Sequence, residues 1–185
     1  MRFLPTEIAG AFIVELEPRA DDRGFFARAF SVTEFAAHGL EFGVRNANTT
    51  HTRTRGTLRG LHYQLPPAAE DKLIRCTRGA VYSVLVDLRP GSPTRFQHIG
   101  VELTAENRLA LLIPGLCAAG ALTLADDTET FYLVTADYSP ELERGVRYDD
   151  PALGIEWPIP VTTISEKDRS WPDIDLNAID MEDAK

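Results

Sequence analysis

Short apolar runs, each closed by turn residues, succeed one another along this chain. AFIVELE (11–17) opens the series, and PRADDRGFFARAF follows with a turn at Asp21-Asp22 and then an aromatic strand. SVTEFAAHG (31–39) is the best helix: Ser31 can cap it, Glu34 completes a capping box and Gly39 can end it. KLIRC (72–76) and AVYSVLVDL (80–88), joined by Thr-Arg-Gly, read as a β-hairpin. QHIGVEL, RLALLIP, ALTLA and ETFYLVTADY follow at a spacing of roughly 8–14 residues, a strand-and-turn rhythm. That rhythm predicts an all-β sandwich or barrel, not alternating β and α units. From Pro151 onward Pro, Asp and Trp dominate, and this stretch is expected to wrap the surface.

With 185 residues the chain is long enough for one domain with a substantial core. A hydrophobic share of 44% and a charged share of 25% are those of an ordinary soluble globule. The net charge of −9 argues against a nucleic-acid or membrane partner. An anionic small molecule stays compatible, because Arg can cluster locally. Arg outnumbers Lys 16 to 3, which suits bidentate contacts to phosphates and equally reflects genomic base composition. Asp173, Asp175, Asp180, Glu182 and Asp183 mark residues 173–185 as an acidic, solvated tail behind one domain over 1–172. Cys76, in an apolar run, reads as a small core residue, and neither it nor Cys117 has ligand-like spacing. No secretory pattern opens the chain and no apolar run reaches about 18 residues, so a cytoplasmic protein is expected.

The histidines are His38, His51, His62 and His98, and no two stand in a His-x-His pair, so no metal is expected. There is no G-x-S-x-G elbow, and Cys117 in LCAAGALTL has no adjacent polar partner. Acid–base chemistry is left. His62 sits in GTLRGLHYQ (56–64) close to Arg59, either as a satisfied core group or as a base. Lys72 opens an apolar strand, where it is either a solvated edge beside Glu70 and Asp71 or a desolvated ammonium able to steady an enolate oxygen. Tyr132 alternates with Thr130 and Val134, so one strand face can carry it inward. Asp168 in SEKDR is too polar for a core and reads locally as surface.

In order along the chain, these residues belong to a set of motifs: DDRGFF (21–26), GTLRGLHYQ (56–64), DKLIRCTRGAVYSVLVDLR (71–89), GVELTAEN (100–107), FYLVTADYSPELERGVRYDDPALGIEWP (131–158) and SEKDR (165–169). Through them the chain resembles the dTDP-4-dehydrorhamnose 3,5-epimerase family from about Pro5 to about Pro172. The resemblance implies a double-stranded β-helix (a cupin-type jelly roll) with short peripheral helices, working without metal or other cofactor as a homodimer. Its substrate would be a dTDP-linked 4-keto-6-deoxy sugar. By the same resemblance His62 matches the base, Asp168 the carboxylate orienting it, Lys72 the enolate stabiliser and Tyr132 the opposing acid. Arg23 and Arg59 match positions that hold the diphosphate or sugar, and Tyr138 the residue stacking on thymine. Phe26, Asn46, Asn48, Glu143 and Lys167 fall on or near substrate-contact positions. Residues 11–17 could add to a partner's sheet.

Two stretches depart from the family pattern. PGLCAAGAL (114–122) has Ala119 where the resemblance calls for a histidine and Ala121 where an aromatic is usual, and Arg28 replaces a Glu found in some members. The lost histidine enlarges the pocket and puts in question which sugar is taken and whether one carbon or two is inverted. An epimerase acting at C3 only or on another nucleotide-linked 4-keto sugar in a specialised deoxysugar pathway, a non-catalytic nucleotide-sugar binder and, weakest, a metal-dependent cupin dioxygenase are the competing expectations. A last expectation is geometric. In a regular strand Arg59 would face away from His62, and a bulge at Gly60 would bring both into one pocket.

Overall fold

The computed structural model describes residues 1–176. It contains, in chain order, β1 (Arg2–Pro5), β2 (Phe12–Glu15), β3 (Arg19–Asp21), β4 (Gly24–Phe26), α1 (Val32–Ala37), β5 (Asn46–Thr52), β6 (Thr57–Gln64), β7 (Lys72–Arg78) and β8 (Ala80–Asp87). There follow β9 (His98–Thr104), β10 (Ala110–Ile113), β11 (Cys117–Thr123), β12 (Thr128–Val134), β13 (Glu143–Gly145), β14 (Thr163–Ile164) and α2 (Glu166–Arg169). One sheet has the order β1-β2-β10-β7-β12-β5, and the other β13-β6-β11-β8-β9 with β14 lying parallel to β6. The architecture is the all-β jelly roll with short peripheral helices that the resemblance implies.

Strands covered on both faces lose the simple in–out alternation and read as continuous apolar runs. Strand β8 shows this: Val81 and Leu85 join Cys76, Leu111 and Ile113 between the sheets, while Val84 and Val86 pack outside with Leu61, Val146 and Leu153. On the outer face of the other sheet, Phe35 of α1 closes over Val14, Leu73, Ala110 and Leu112. The helix begins as expected, with Ser31 Oγ accepting the Glu34 N–H, and Gly39 beyond its end has φ +73°. Glu34 does not reach back to complete the capping box; its carboxylate meets the Met1 ammonium and Arg28 instead.

Three expectations are corrected. The hairpin 72–76/80–88 does not exist: β7 pairs with β10 and β12, and β8 with β9 and β11. The Thr-Arg-Gly turn carries the chain from one sheet to the other. Gly79 (φ +74°) is needed there, since a Cβ would meet Thr128 Oγ1 at 2.5 Å. Residues 11–17 offer no free edge, because β2 is flanked by β1 and β10 of its own chain. The stretch after Pro151 does more than wrap the surface, since its β14 and α2 enter the functional site. In the acidic tail Asp173 pairs with Arg147, and the Ile174 N–H reaches Asp150; Asp180, Glu182 and Asp183 lie outside the described residues.

At the end of β8 the fully buried Asp87 organises the next loop. It accepts from Arg89 Nε (2.8 Å), Ser92 Oγ (2.5 Å) and Thr94 Oγ1 (2.6 Å). Burial works to raise this carboxyl, but these donors outweigh it and hold it far below its ordinary value.

Candidate active site

A cavity of about 570 Å³ opens between the sheets, and an outer lobe of about 270 Å³ adjoins it. His62, Lys72 and Tyr132 line both, and so stand at their junction. His62 comes from β6 in one sheet, and Lys72 and Tyr132 from β7 and β12 in the other. Tyr132 is paired with Ile74, two residues from Lys72, so both side chains leave the same face of their sheet. The cavity therefore has an imidazole on one wall and an ammonium with a phenol on the opposite wall.

The expected bulge is present. Ala119 pairs with His62 and Ala121 with Arg59, so two residues of β6 oppose the single Gly120. Arg59 and His62 both line the cavity as a result, and Arg59 Nε donates to Thr52 Oγ1 at 3.0 Å. Only glycine fits at the bulge. Gly60 has φ +104°, and a Cβ there would lie 2.6 Å from the Ala119 carbonyl oxygen.

Asp168 is not a surface residue; it is 5% exposed. The single turn of α2, capped by Ser165, points it inward, where Oδ1 lies 2.5 Å from His62 Nε2 and Oδ2 accepts the Gly60 N–H at 3.3 Å. The other imidazole nitrogen, Nδ1, is 3.8 Å from Glu143 Oε1, beyond hydrogen-bond reach. Trp171 locks this segment down: it packs so closely on Gly145 that a Cβ there would meet its ring at 2.3 Å.

Lys72 is mostly buried and pairs with Glu70 Oε1 at 3.2 Å. The sequence reading set Glu70 beside Lys72 only as part of a solvated edge, although their i, i+2 spacing places them on one side of an extended chain. In the outer lobe Glu143 receives the Tyr138 hydroxyl (2.6 Å) and forms an ion pair with Lys167. Burial pushes the Glu143 carboxyl up, but Lys167, Tyr138 and the nearby His62 prevail and hold it below the ordinary range. The same contacts raise the Tyr138 phenol and the Lys167 ammonium. Asn46 and Asn48 line this lobe from β5, a polar strand the sequence did not reveal. Gln64, buried, fixes the loop bearing Tyr138 by accepting the Ser139 N–H at 2.6 Å.

Arg23 and Phe26 are not brought to this cavity. They lie on the two-stranded ribbon β3–β4, which pairs only with itself. Phe26 is 65% exposed, and the Arg23 side chain, 90% exposed, pairs with Asp21 among the described residues. Arg28 pairs with Glu34, away from the cavity. Among the described residues no group of three or more His, Cys, Asp or Glu is placed to hold a metal ion. Burial pushes the Cys117 thiol up to about 12, which removes it as a nucleophile. No helix is long and apolar enough to cross a membrane among the described residues.

The family model described as dTDP-4-dehydrorhamnose 3,5-epimerase matches residues 5–175. The chain is 42% identical over 175 residues to the dTDP-4-dehydrorhamnose 3,5-epimerase of Sinorhizobium fredii, covering 94% of this chain and 90% of that protein. It is 36% identical over 170 residues to the dTDP-4-dehydrorhamnose 3-epimerase of Streptomyces niveus, covering 91% and 82%. The crystal structure of dTDP-4-dehydrorhamnose 3,5-epimerase from Bacillus anthracis, with TDP and PPi bound, is similar at a TM-score of 0.90 and 36% identity, covering 94% of this chain and 99% of that one. Matches of this extent in sequence and in fold show that the protein belongs to the dTDP-4-dehydrorhamnose 3,5-epimerase family of carbohydrate epimerases.

Proposed function

We propose that this protein inverts C3 and C5 of a dTDP-linked 4-keto-6-deoxyhexose through an enolate. The observation that carries the reading is the placement of His62 on one sheet against Lys72 and Tyr132 on the other, across one cavity. A C–H beside a ketone is acidic because the anion left behind spreads onto the carbonyl oxygen. His62 takes that proton on Nδ1, since Nε2 is engaged by Asp168, whose carboxylate then supports the imidazolium. Lys72, held by Glu70, meets the negative charge growing on the C4 oxygen. Tyr132 returns a proton to the carbon from the opposite side, which makes the step an inversion. Both groups reset by exchange with solvent. The charge of the intermediate is met by Lys72, so no step calls for a metal or other cofactor.

Arg59 suits the diphosphate and the exposed Tyr138 ring the thymine, with Asn46, Asn48, Glu143 and Lys167 around them. Arg23 and Phe26, far exposed on their ribbon, reach substrate if a second copy of the chain brings its ribbon to the mouth of the cavity. The reading is therefore of a homodimer whose working unit is one domain over 1–172, followed by the acidic segment 173–185. A monomer at micromolar concentration in light scattering would count against it.

A second reading has one observation in its favour. Ala119 stands opposite His62 in register and leaves only a methyl on that wall. Epimerisation at C3 alone fits such a site, and the Streptomyces niveus relative is named for it. NMR of dTDP-4-keto-6-deoxyglucose in D2O decides. Deuterium at C3 and C5, absent with His62→Ala, is the expected result. Deuterium at C3 alone supports the second reading, and no exchange with dTDP still bound marks a binding protein.

A further inference from the structure

Nine polar or charged residues are buried among the described residues. Seven have hydrogen-bond partners: Thr52, Gln64, Asp87, Thr123, Thr128, Asp150 and Asp168. The two exceptions are Ser83, 1% exposed, and Thr130, 8% exposed, neither of which has a side-chain partner among the described residues. Both line the inner cavity. Ser83 comes from β8 and Thr130 from β12, one from each sheet. Neither hydroxyl oxygen is sealed off: both open onto the cavity, where they are free to meet a ligand. Here the exceptions share one cavity, and Thr50, paired directly with Thr130, adds a third hydroxyl to its wall. Ile74, Ile113, Ala119 and Ala121 are apolar, and Ala121, paired directly with Ser83, has only a methyl to cover its neighbour.

We propose that Ser83 and Thr130 form a subsite that hydrogen-bonds the C2 hydroxyl of the sugar, and so set which sugars the enzyme takes. The assignment rests on the proposed epimerisation. In a dTDP-linked 4-keto-6-deoxyhexose C1 carries the diphosphate, C4 is the ketone addressed by Lys72, and C6 is a methyl. The C3 hydroxyl changes sides when C3 inverts, so a fixed pair of hydroxyls cannot hold it before and after. The C2 hydroxyl is the one ring hydroxyl that the reaction leaves in place. A contact kept from substrate to product binds both and the transition state alike, so its effect is read in affinity and in KM more than in kcat. A site whose hydroxyls bond a substrate hydroxyl also disfavours the analogue that lacks it.

Titration calorimetry on the full chain tests this with three ligands. They are dTDP-6-deoxyglucose (which lacks the ketone and does not react), its 2-deoxy counterpart, and dTDP alone. The wild-type protein is expected to prefer the 2-hydroxy ligand by about 10-fold or more. The double variant Ser83→Ala/Thr130→Val is expected to bind the two within about twofold of each other, with its affinity for dTDP unchanged. Equal wild-type affinity for the two sugars overturns the proposal, as does a preference that survives in the variant or a parallel loss of dTDP affinity. Should the variant fail to fold by circular dichroism, the wild-type comparison of the two sugars decides alone. Deuterium exchange with the ketone substrate is followed in parallel. Its absence would remove the epimerase reading, while the C2 preference would still stand or fall by calorimetry.

Discussion

Asp168→Asn tests the proposed dyad with almost no change of shape. The carboxylate accepts twice, from His62 Nε2 and from the Gly60 N–H, and is 5% exposed. An amide cannot do both. If its oxygen keeps Gly60, its NH2 is set against His62 Nε2 and drives the ring's own proton onto Nδ1, the nitrogen that must be free to act as base. If its oxygen keeps His62, the NH2 confronts the Gly60 N–H and the imidazolium has lost its counter-charge. A hydrogen bond to a charged partner contributes roughly 1.5–3 kcal/mol, which at about 1.4 kcal/mol per tenfold is a kcat lower by roughly 10- to 150-fold. The tautomer error could add to this, as in the serine proteases, where the same Asp-to-Asn change costs about 10⁴. Deuterium exchange of the ketone substrate gives kcat and KM together, and circular dichroism checks the fold. A variant with kcat within threefold of wild type, or one whose loss lies wholly in KM, would refute the argument that Asp168 arms His62.

Gly60→Ala would drive a Cβ to 2.6 Å from the Ala119 carbonyl oxygen at φ +104°, and is expected to cost about 2 kcal/mol or more in urea unfolding. Asp87→Ala leaves Arg89 without its buried partner and should destabilise by about 3 kcal/mol in the same assay. The Asp87 carboxyl titrates below its ordinary 3.8 in the folded state, so its stabilisation is complete above that pH and drains away as pH falls through the lower folded value. Asp87→Asn should accordingly flatten the acid limb of a stability–pH curve, and an unchanged limb would show that other carboxyls govern it. Arg23→Ala should weaken dTDP binding by roughly 10-fold with no change in melting temperature; unchanged affinity by calorimetry would remove the ribbon from the site.

The sequence disclosed strands best where both faces are apolar, as in residues 80–88, because a doubly covered strand has few polar interruptions. It hid β5, whose Asn46 and Asn48 look like loop residues because their face lines a cavity instead of a core. It misread the turn at Gly79, since a three-residue link between apolar runs looks the same whether the second strand folds back beside the first or crosses to another sheet. The Gly60 bulge was legible, because a glycine between two polar residues on one strand has few other uses. Asp168 was opaque to local reasoning: SEKDR has the composition of a surface turn, and only its docking against β6 buries the carboxylate. Thr130 was legible only as sharing the face of Tyr132, and Ser83 gave no signal, being a small hydroxyl residue in an apolar strand.

The last described helix has a bearing on how the molecule is made. His62, Lys72 and Tyr132 are in place once the chain has been built as far as β12, but the carboxylate that orients the imidazole arrives more than thirty residues later, on a single turn pinned by Trp171. The segment that carries it docks on β6, the strand of His62 itself, through β14 and the Asp168 contact to the Gly60 N–H. A chain cut before Ser165 would lose the orienting carboxylate of Asp168 and the Lys167 partner of Glu143 together.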